Sequence, residues 1–335
     1  MASERKRILT GIRPTGSLHV GHYAGALENW LRLQDEYECF FLIADYQVSD
    51  YADDIDRIRD SVFQVALDWL AVGLDPERGH FVIESLVPEH AELTTWLSWY
   101  TPLSRLQRNP TLKAEMADLE SKSVPVAFFT YPIMQVANIL MPKAHLVPVG
   151  DDQLPHIEMT REIVRRFNRL FGEVFPEPEA LVGRVPRLVG LDGNAKMGKS
   201  LDNAIFLKDD AETVTKKVMK MFTDPTRIHA TDPGHVEGNP VFMYHDAFNP
   251  DTAEVDDLKE RYLKGKVGDV EVKEKLASAL NALLDPIRER RAKYEAQPGL
   301  VRDALAAGTA HAKKIAEQTM AEVRSALRLD YLGTP

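Results

Sequence analysis

Thr10-Gly11-Ile12-Arg13-Pro14-Thr15-Gly16-Ser17-Leu18-His19-Val20-Gly21-His22 joins a short apolar run, residues 7–10, to a long amphipathic one that begins at Val20. A brief apolar segment bounded by turn residues and followed by helical periodicity is a strand–turn–helix junction. Gly11 and Gly16 permit tight turning and close backbone approach, and the helix start offers free N–H groups and a positive dipole to a phosphate. His19 and His22, three apart, fall on one face of the first turn, where both can donate to phosphate oxygens. Gly21 between them leaves room for an adenine ring.

The same alternation continues outward. Residues 39–45, 80–84 and 145–149 read as further strands. Amphipathic helices are expected over 20–33, 55–72 and 151–170, the first two with Leu27, Trp30, Val62 and Trp69 on their apolar faces. Strands separated by helices predict an α/β fold with a Rossmann-like, doubly wound parallel sheet. Helical segments over 109–122 and 126–141 fall between the third and fourth strands, which places a helical insertion around 96–141. Beyond about residue 209 the strand signal fades and helices are expected over 210–222, 253–264, 270–295 and 301–327. The division is therefore a catalytic domain over 1–205 and a helical C-terminal domain over 206–335.

The chain has 335 residues, 44% hydrophobic and 27% charged, a globular rather than disordered mixture. Its 41 basic and 51 acidic residues leave −10, which disfavours nucleic-acid binding by bulk basicity but allows local basic faces. Arg165, Arg166 and Arg169, then Lys216, Lys217 and Lys220, then Arg288, Arg290, Arg291 and Lys293 are such candidates. Each set reads equally well as a solvated helix face. A single cysteine, Cys39, excludes an intrachain disulfide framework and a cysteine-built zinc site, and no protein metal site is expected. No apolar run long enough to cross a membrane and no signal-peptide pattern is present, so a cytoplasmic address is expected.

A second motif, Lys196-Met197-Gly198-Lys199-Ser200, follows the polar Asp192-Gly193-Asn194-Ala195. Two lysines three apart can both reach a polyphosphate, with Ser200 as a further donor. Alone it reads as solvated lysines. Its weight comes from accompanying the histidine motif.

Together the two motifs resemble the "HIGH" and "KMSKS" signatures of the class I aminoacyl-tRNA synthetases. Within that class the chain is similar to the bacterial tryptophan-specific synthetases, through Thr130-Tyr131-Pro132 with Gln135, the run Val147-Pro148-Val149-Gly150-Asp151-Asp152-Gln153, and His156-Ile157-Glu158-Met159-Thr160-Arg161. The resemblance extends over about residues 7–327. It implies activation of L-tryptophan by ATP, with Mg2+ carried by the nucleotide, and transfer to tRNA(Trp) by a homodimer. His19, His22, Lys196 and Lys199 are then the catalytic candidates. Arg13, Pro14, Thr15, Gly21, His22, Gly150, Asp151, Asp152 and the 196–200 loop, Met197, Gly198 and Ser200 included, would hold ATP. Leu9, Tyr131, Gln135, Asn138, Val147, Val149 and Gln153 would form the tryptophan site, Tyr131 and Gln153 gripping the ammonium group.

Three departures from that family pattern stand out. Gly198 replaces the loop serine, and Leu9 replaces a first-strand aromatic that walls the indole pocket. Asn138 stands where the family has an aspartate receiving the indole N–H. A neutral hydrogen bond contributes ~0.5–1.5 kcal/mol against ~1.5–3 kcal/mol for a charged one, so altered selectivity is expected, and Asn138→Asp is expected to keep or improve tryptophan use. A tyrosine-specific sister enzyme and a specialised or regulatory paralogue remain open as alternatives. A small nucleotidyltransferase is disfavoured by the lysine loop and the helical domain.

Overall fold

The computed structural model describes residues 5–118, 124–150, 153–182, 188–193, 197, 201–227, 229 and 231–332. Within them, five strands form one all-parallel sheet: β1 (Arg7–Ile12), β2 (Glu38–Ile43), β3 (Gly79–Ile83), β4 (Leu146–Val149) and β5 (Glu179–Val182), in the order β3-β2-β1-β4-β5. β1 is central, with Ile8 opposite Cys39 on one side and Leu146 on the other. Chain order reverses between β1 and β4. In open α/β sheets that switch point opens a crevice at the carboxyl ends of the strands.

The expected doubly wound sheet is present. β5 was not anticipated: its residues Glu179-Ala180-Leu181-Val182 carry too little apolar pattern to separate them from a loop, and partly exposed positions suffice for an edge strand.

Successive strand residues alternate between two cores. Ile8, Cys39, Phe41 and Ile43 point to one face, where Trp30, Phe41, Trp69 and Phe81 pack ring against ring, with centroids 5.3–6.1 Å apart. Leu9, Phe40, Leu42 and Val82 point to the other. Helices α1 (Val20–His22) and α2 (Glu28–Glu36) and α3 (Ile55–Val72) serve the first face, α1 and α2 being one run interrupted by a π-turn, Tyr23–Leu27. α4 (Glu89–Ser98), α5 (Leu103–Gln107), α6 (Pro110–Asp118), α7 (Val126–Leu140) and α8 (Leu154–Phe171) serve the second. α4, α5 and the π-turn went unread in the sequence.

The C-terminal half is helical: α9 (Ala211–Met219), α10 (Pro240–Phe248), α11 (Thr252–Leu263), α12 (Asp269–Glu295) and α13 (Pro298–Ala326). Its two long helices return to the sheet. α12 lies against α3, and α13 lies along β3, the other edge strand. There the Thr309 hydroxyl accepts the Ile83 N–H at 3.1 Å, and a Cβ at Gly308 would sit 2.4 Å from the Phe81 backbone. Glycine at 308 lets the helix cap an edge that would otherwise expose unpaired backbone groups.

Candidate active site

The crevice at the β1/β4 switch point holds a cavity of about 320 Å³. That is within the size range of small-ligand sites. β1 and the residue after it contribute Leu9 to Arg13, β4 and the residue after it contribute Val147 to Gly150, and α7 closes the cavity with Tyr131, Gln135 and Asn138. Every residue expected to bind the amino acid lines it: Leu9, Tyr131, Gln135, Asn138, Val147, Val149 and Gln153. Arg13 and Gly150 line it too. Gly11 is required by a neighbouring strand, since a Cβ there would lie 2.5 Å from the Leu42 carbonyl oxygen.

Two acids that sequence reasoning missed stand here, one buried behind the cavity wall and one half-buried in its lining. The first is Glu84, the residue after β3, which is fully buried. Its Oε1 accepts from Asn138 Nδ2 at 2.6 Å and from Gln47 Nε2 at 3.3 Å, and Oε2 accepts the Tyr46 N–H at 3.0 Å. Burial pushes its carboxyl up to about 7 against the pull of those three donors. Asn138 is itself buried, and its Oδ1 has no hydrogen-bond partner among the described residues. His90 of α4, also buried, sits beside it, and burial lowers its imidazole to about 4 against an interaction with the Asn138 side chain that raises it.

The second acid is Glu115 on α6, which lines the cavity and whose Oε2 is buried without a hydrogen-bond partner among the described residues. Burial, and then this carboxylate, raise the pKa of the Tyr131 hydroxyl. The same hydroxyl lies 3.4 Å from His156 Nε2, and Asn109 holds the other ring nitrogen at 3.4 Å. Glu84 carried one readable signal, its place at the carboxyl end of a strand. Glu115 carried none beyond lying on a helix of the insertion.

The histidine motif lies beside this cavity rather than in its lining. The His19 and His22 rings lie against each other at a tilt of 41°, with centroids 3.8 Å apart, and His22 Nδ1 accepts the His19 N–H at 3.2 Å. A Cβ added at Gly21 would meet the His19 ring at 3.0 Å and Met197 Cε at 3.1 Å, so the two motifs touch at that glycine. Two backbone bonds, Val20 N–H to Ile205 O at 2.9 Å and Leu207 N–H to Leu18 O at 3.0 Å, tie the motif to the chain leaving the lysine loop. Asp68 of α3 accepts the Leu18 N–H at 2.7 Å and pairs with Arg291 of α12, both side chains being buried. Arg13 is held by Asp50, Pro14 is buried, and the Thr15 carbonyl accepts from Arg57. Asp151, Asp152, Lys196, Gly198, Lys199 and Ser200 lie outside the described residues.

The basic candidates divide. Arg290 donates to the Ala71 carbonyl at 2.6 Å, and Arg291 is the buried partner of Asp68, so both serve the interior. Lys216 pairs with Glu212 and Arg165 with Glu177, both on the surface. Among the described residues one group has metal-ligand character: Glu38, His80 and His311 hold their ligand atoms within 4.8 Å of one another. It lies at the amino ends of β2 and β3, away from the cavity. Arg7 already supplies the counter-charge to Glu38 at 2.9 Å, and burial lowers His80 to about 4.

Comparison with known proteins agrees with this geometry. Residues 1–285 match the family model described as tRNA synthetases class I (W and Y). A tryptophan–tRNA ligase of Treponema pallidum is 51% identical over 96% of this chain and 97% of its own length. One from Chlamydia caviae is 46% identical over 98% and 97%. Among solved structures, a tryptophanyl-tRNA synthetase from Campylobacter jejuni, complexed with ADP and tryptophan, superposes with a TM-score of 0.82 at 32% identity, covering 96% of this chain and 99% of the other.

Proposed function

The chain belongs to the class I tRNA synthetases of the tryptophan and tyrosine group, and from that premise we propose that it activates L-tryptophan with ATP and charges tRNA(Trp). A carboxylate oxygen of tryptophan attacks the α-phosphorus of MgATP, the bond to the β-phosphate oxygen breaks, and diphosphate leaves. A ribose hydroxyl at the tRNA terminus then attacks the acyl carbon and AMP departs. Neither step needs a protein nucleophile, so positioning and charge stabilisation carry the catalysis.

The observation that carries this reading is the cavity at the switch point. It gathers Leu9, Val147 and Val149 for an apolar ring, Asn138 for the ring N–H, and Tyr131, Gln135, Gln153 and Glu115 for an ammonium group. Arg13, Pro14, Thr15, Gly21, His22, Gly150, Asp151 and Asp152 would hold ATP, whose Mg2+ arrives with it. His19 and His22 would donate to the phosphates, and Lys196, Lys199 and Ser200 would neutralise the departing diphosphate, with Met197 and Gly198 shaping the loop. Residues 206–335 would receive the anticodon end of the tRNA. A homodimer working in the cytoplasm completes the reading. Among the described residues no helix is long and apolar enough to cross a membrane.

ATP–diphosphate exchange with each of the twenty amino acids tests it. Exchange should depend on tryptophan and on magnesium. Exchange supported by tyrosine and not by tryptophan would sink the substrate assignment and leave the fold intact.

A further inference from the structure

We infer that Glu84 is the residue through which an asparagine reads the indole: it holds the Asn138 amide with Nδ2 turned toward the protein, leaving Oδ1 as the acceptor for the ring N–H. This rests on the tryptophan reading above, which supplies the donor.

The two ends of a carboxamide have nearly the same shape and opposite hydrogen-bonding sense. Something must choose between them, and an ionised carboxylate, which only accepts, chooses Nδ2. Glu84 is placed for that choice, buried and 2.6 Å from Asn138 Nδ2. Its remaining contacts are also from donors, the Tyr46 N–H and Gln47 Nε2. On the other side Asn138 Oδ1 is buried with no hydrogen-bond partner among the described residues, in a side chain that lines the cavity. A carboxylate behind the amide polarises it and strengthens Oδ1 as an acceptor.

This placement reverses the expectation from sequence for Asn138→Asp. Alone, that change sets two buried carboxylates in contact, and one must take up a proton or move away. Combined with Glu84→Gln it rebuilds the pair with its senses exchanged, an amide N–H at position 84 donating to a carboxylate at position 138.

The full-length chain is assayed by ATP–diphosphate exchange with tryptophan and with the analogue carrying sulfur in place of the ring nitrogen. Glu84→Gln and Asn138→Asp should each raise the tryptophan KM about tenfold and erase the preference over the analogue, with the ATP KM unchanged. The double variant should return to within about twofold of the parent. The parent's tryptophan KM should also rise as pH falls through about 7, where Glu84 takes up a proton and becomes a donor. Glu84→Gln should lack that rise. Asp45, Tyr46 and His90 are the other titratable groups facing this pair. Thermal unfolding of all four proteins separates loss of fold from loss of reading.

Glu84→Gln with the parent's KM and preference overturns the inference. So does a double variant no better than the worse single one, which is the result expected if His90 rather than the substrate occupies Oδ1. Absence of tryptophan-dependent exchange in the parent overturns the tryptophan reading, and with it this one, before any variant is made.

Discussion

The two halves of the cleft are built differently. The half proposed to take the amino acid is walled by side chains from β1, β4 and α7, with Asn138 and Glu84 buried and bonded to each other. The half proposed to take the nucleotide is built from the turn between β1 and α1, held in place from behind by backbone bonds to residues 205 and 207, by Asp68, and by the approach of Met197 to Gly21. A site that selects one ring must exist before the ligand arrives, because every unmet polar group in it then counts against the wrong substrate. A site that stabilises a departing diphosphate acts on charge that appears only during reaction, and a loop serves where it must also let the product go. Changes in the first half should therefore appear in the tryptophan KM, and changes in the second in the rate.

Asp68 gives the largest expected effect and the sharpest break. It supports the nucleotide half from the interior, joining Leu18, the residue before His19, to Arg291 of α12. Asp68→Ala removes the buried carboxylate from a buried guanidinium, leaving it only Gln64 and the more exposed Glu295, and should lower the unfolding free energy by about 3 kcal/mol, read by denaturant titration. If Arg291→Met restores most of that loss, the pair acts as a tie. If it does not, the Leu18 N–H bond is the part that matters. Next come the loop lysines. Lys196→Ala or Lys199→Ala should slow single-turnover adenylate formation by at least about thirtyfold, or ~2 kcal/mol, with the tryptophan KM little changed. Equal rates in parent and variants would show that the loop takes no part in the chemistry.

The sequence disclosed these halves unequally. The strand–turn–helix junction at Thr10–His22 and the periodicity of residues 55–72 placed the sheet, because a central parallel strand and a long amphipathic helix each carry strong patterns. β5, α4 and α10 are short or evenly apolar, and no period marks them. Tyr131, Gln135 and Asn138 of α7 were legible through the family resemblance, which matched them as words of sequence rather than through any local pattern. Their partners were not. Glu84 lies 54 residues from Asn138, and no local pattern connects positions that only the topology of the sheet brings together.

Glu115 offers the smaller and most diagnostic test, because it belongs to the amino-acid half yet carries a charge. Its Oε2 is shielded from solvent beside the Tyr131 hydroxyl and lines the cavity, so a cation entering there meets a carboxylate that no cation among the described residues neutralises by an ion pair. The ammonium group of tryptophan is such a cation. Glu115→Gln keeps the shape and removes the charge, so a charged hydrogen bond becomes a neutral one, a loss of ~1–1.5 kcal/mol or about tenfold in kcat/KM for tryptophan. The loss should fall on KM, with the ATP KM unmoved. It should vanish for a ligand that lacks the amine, such as indole-3-propionate used as a competitive inhibitor. Parent and Glu115→Gln should bind that inhibitor equally. If the variant loses affinity for the acid as well as for tryptophan, Glu115 shapes the pocket without meeting the ammonium. If the variant instead slows adenylate formation at saturating tryptophan, the division between a selecting half and a reacting half fails at this residue.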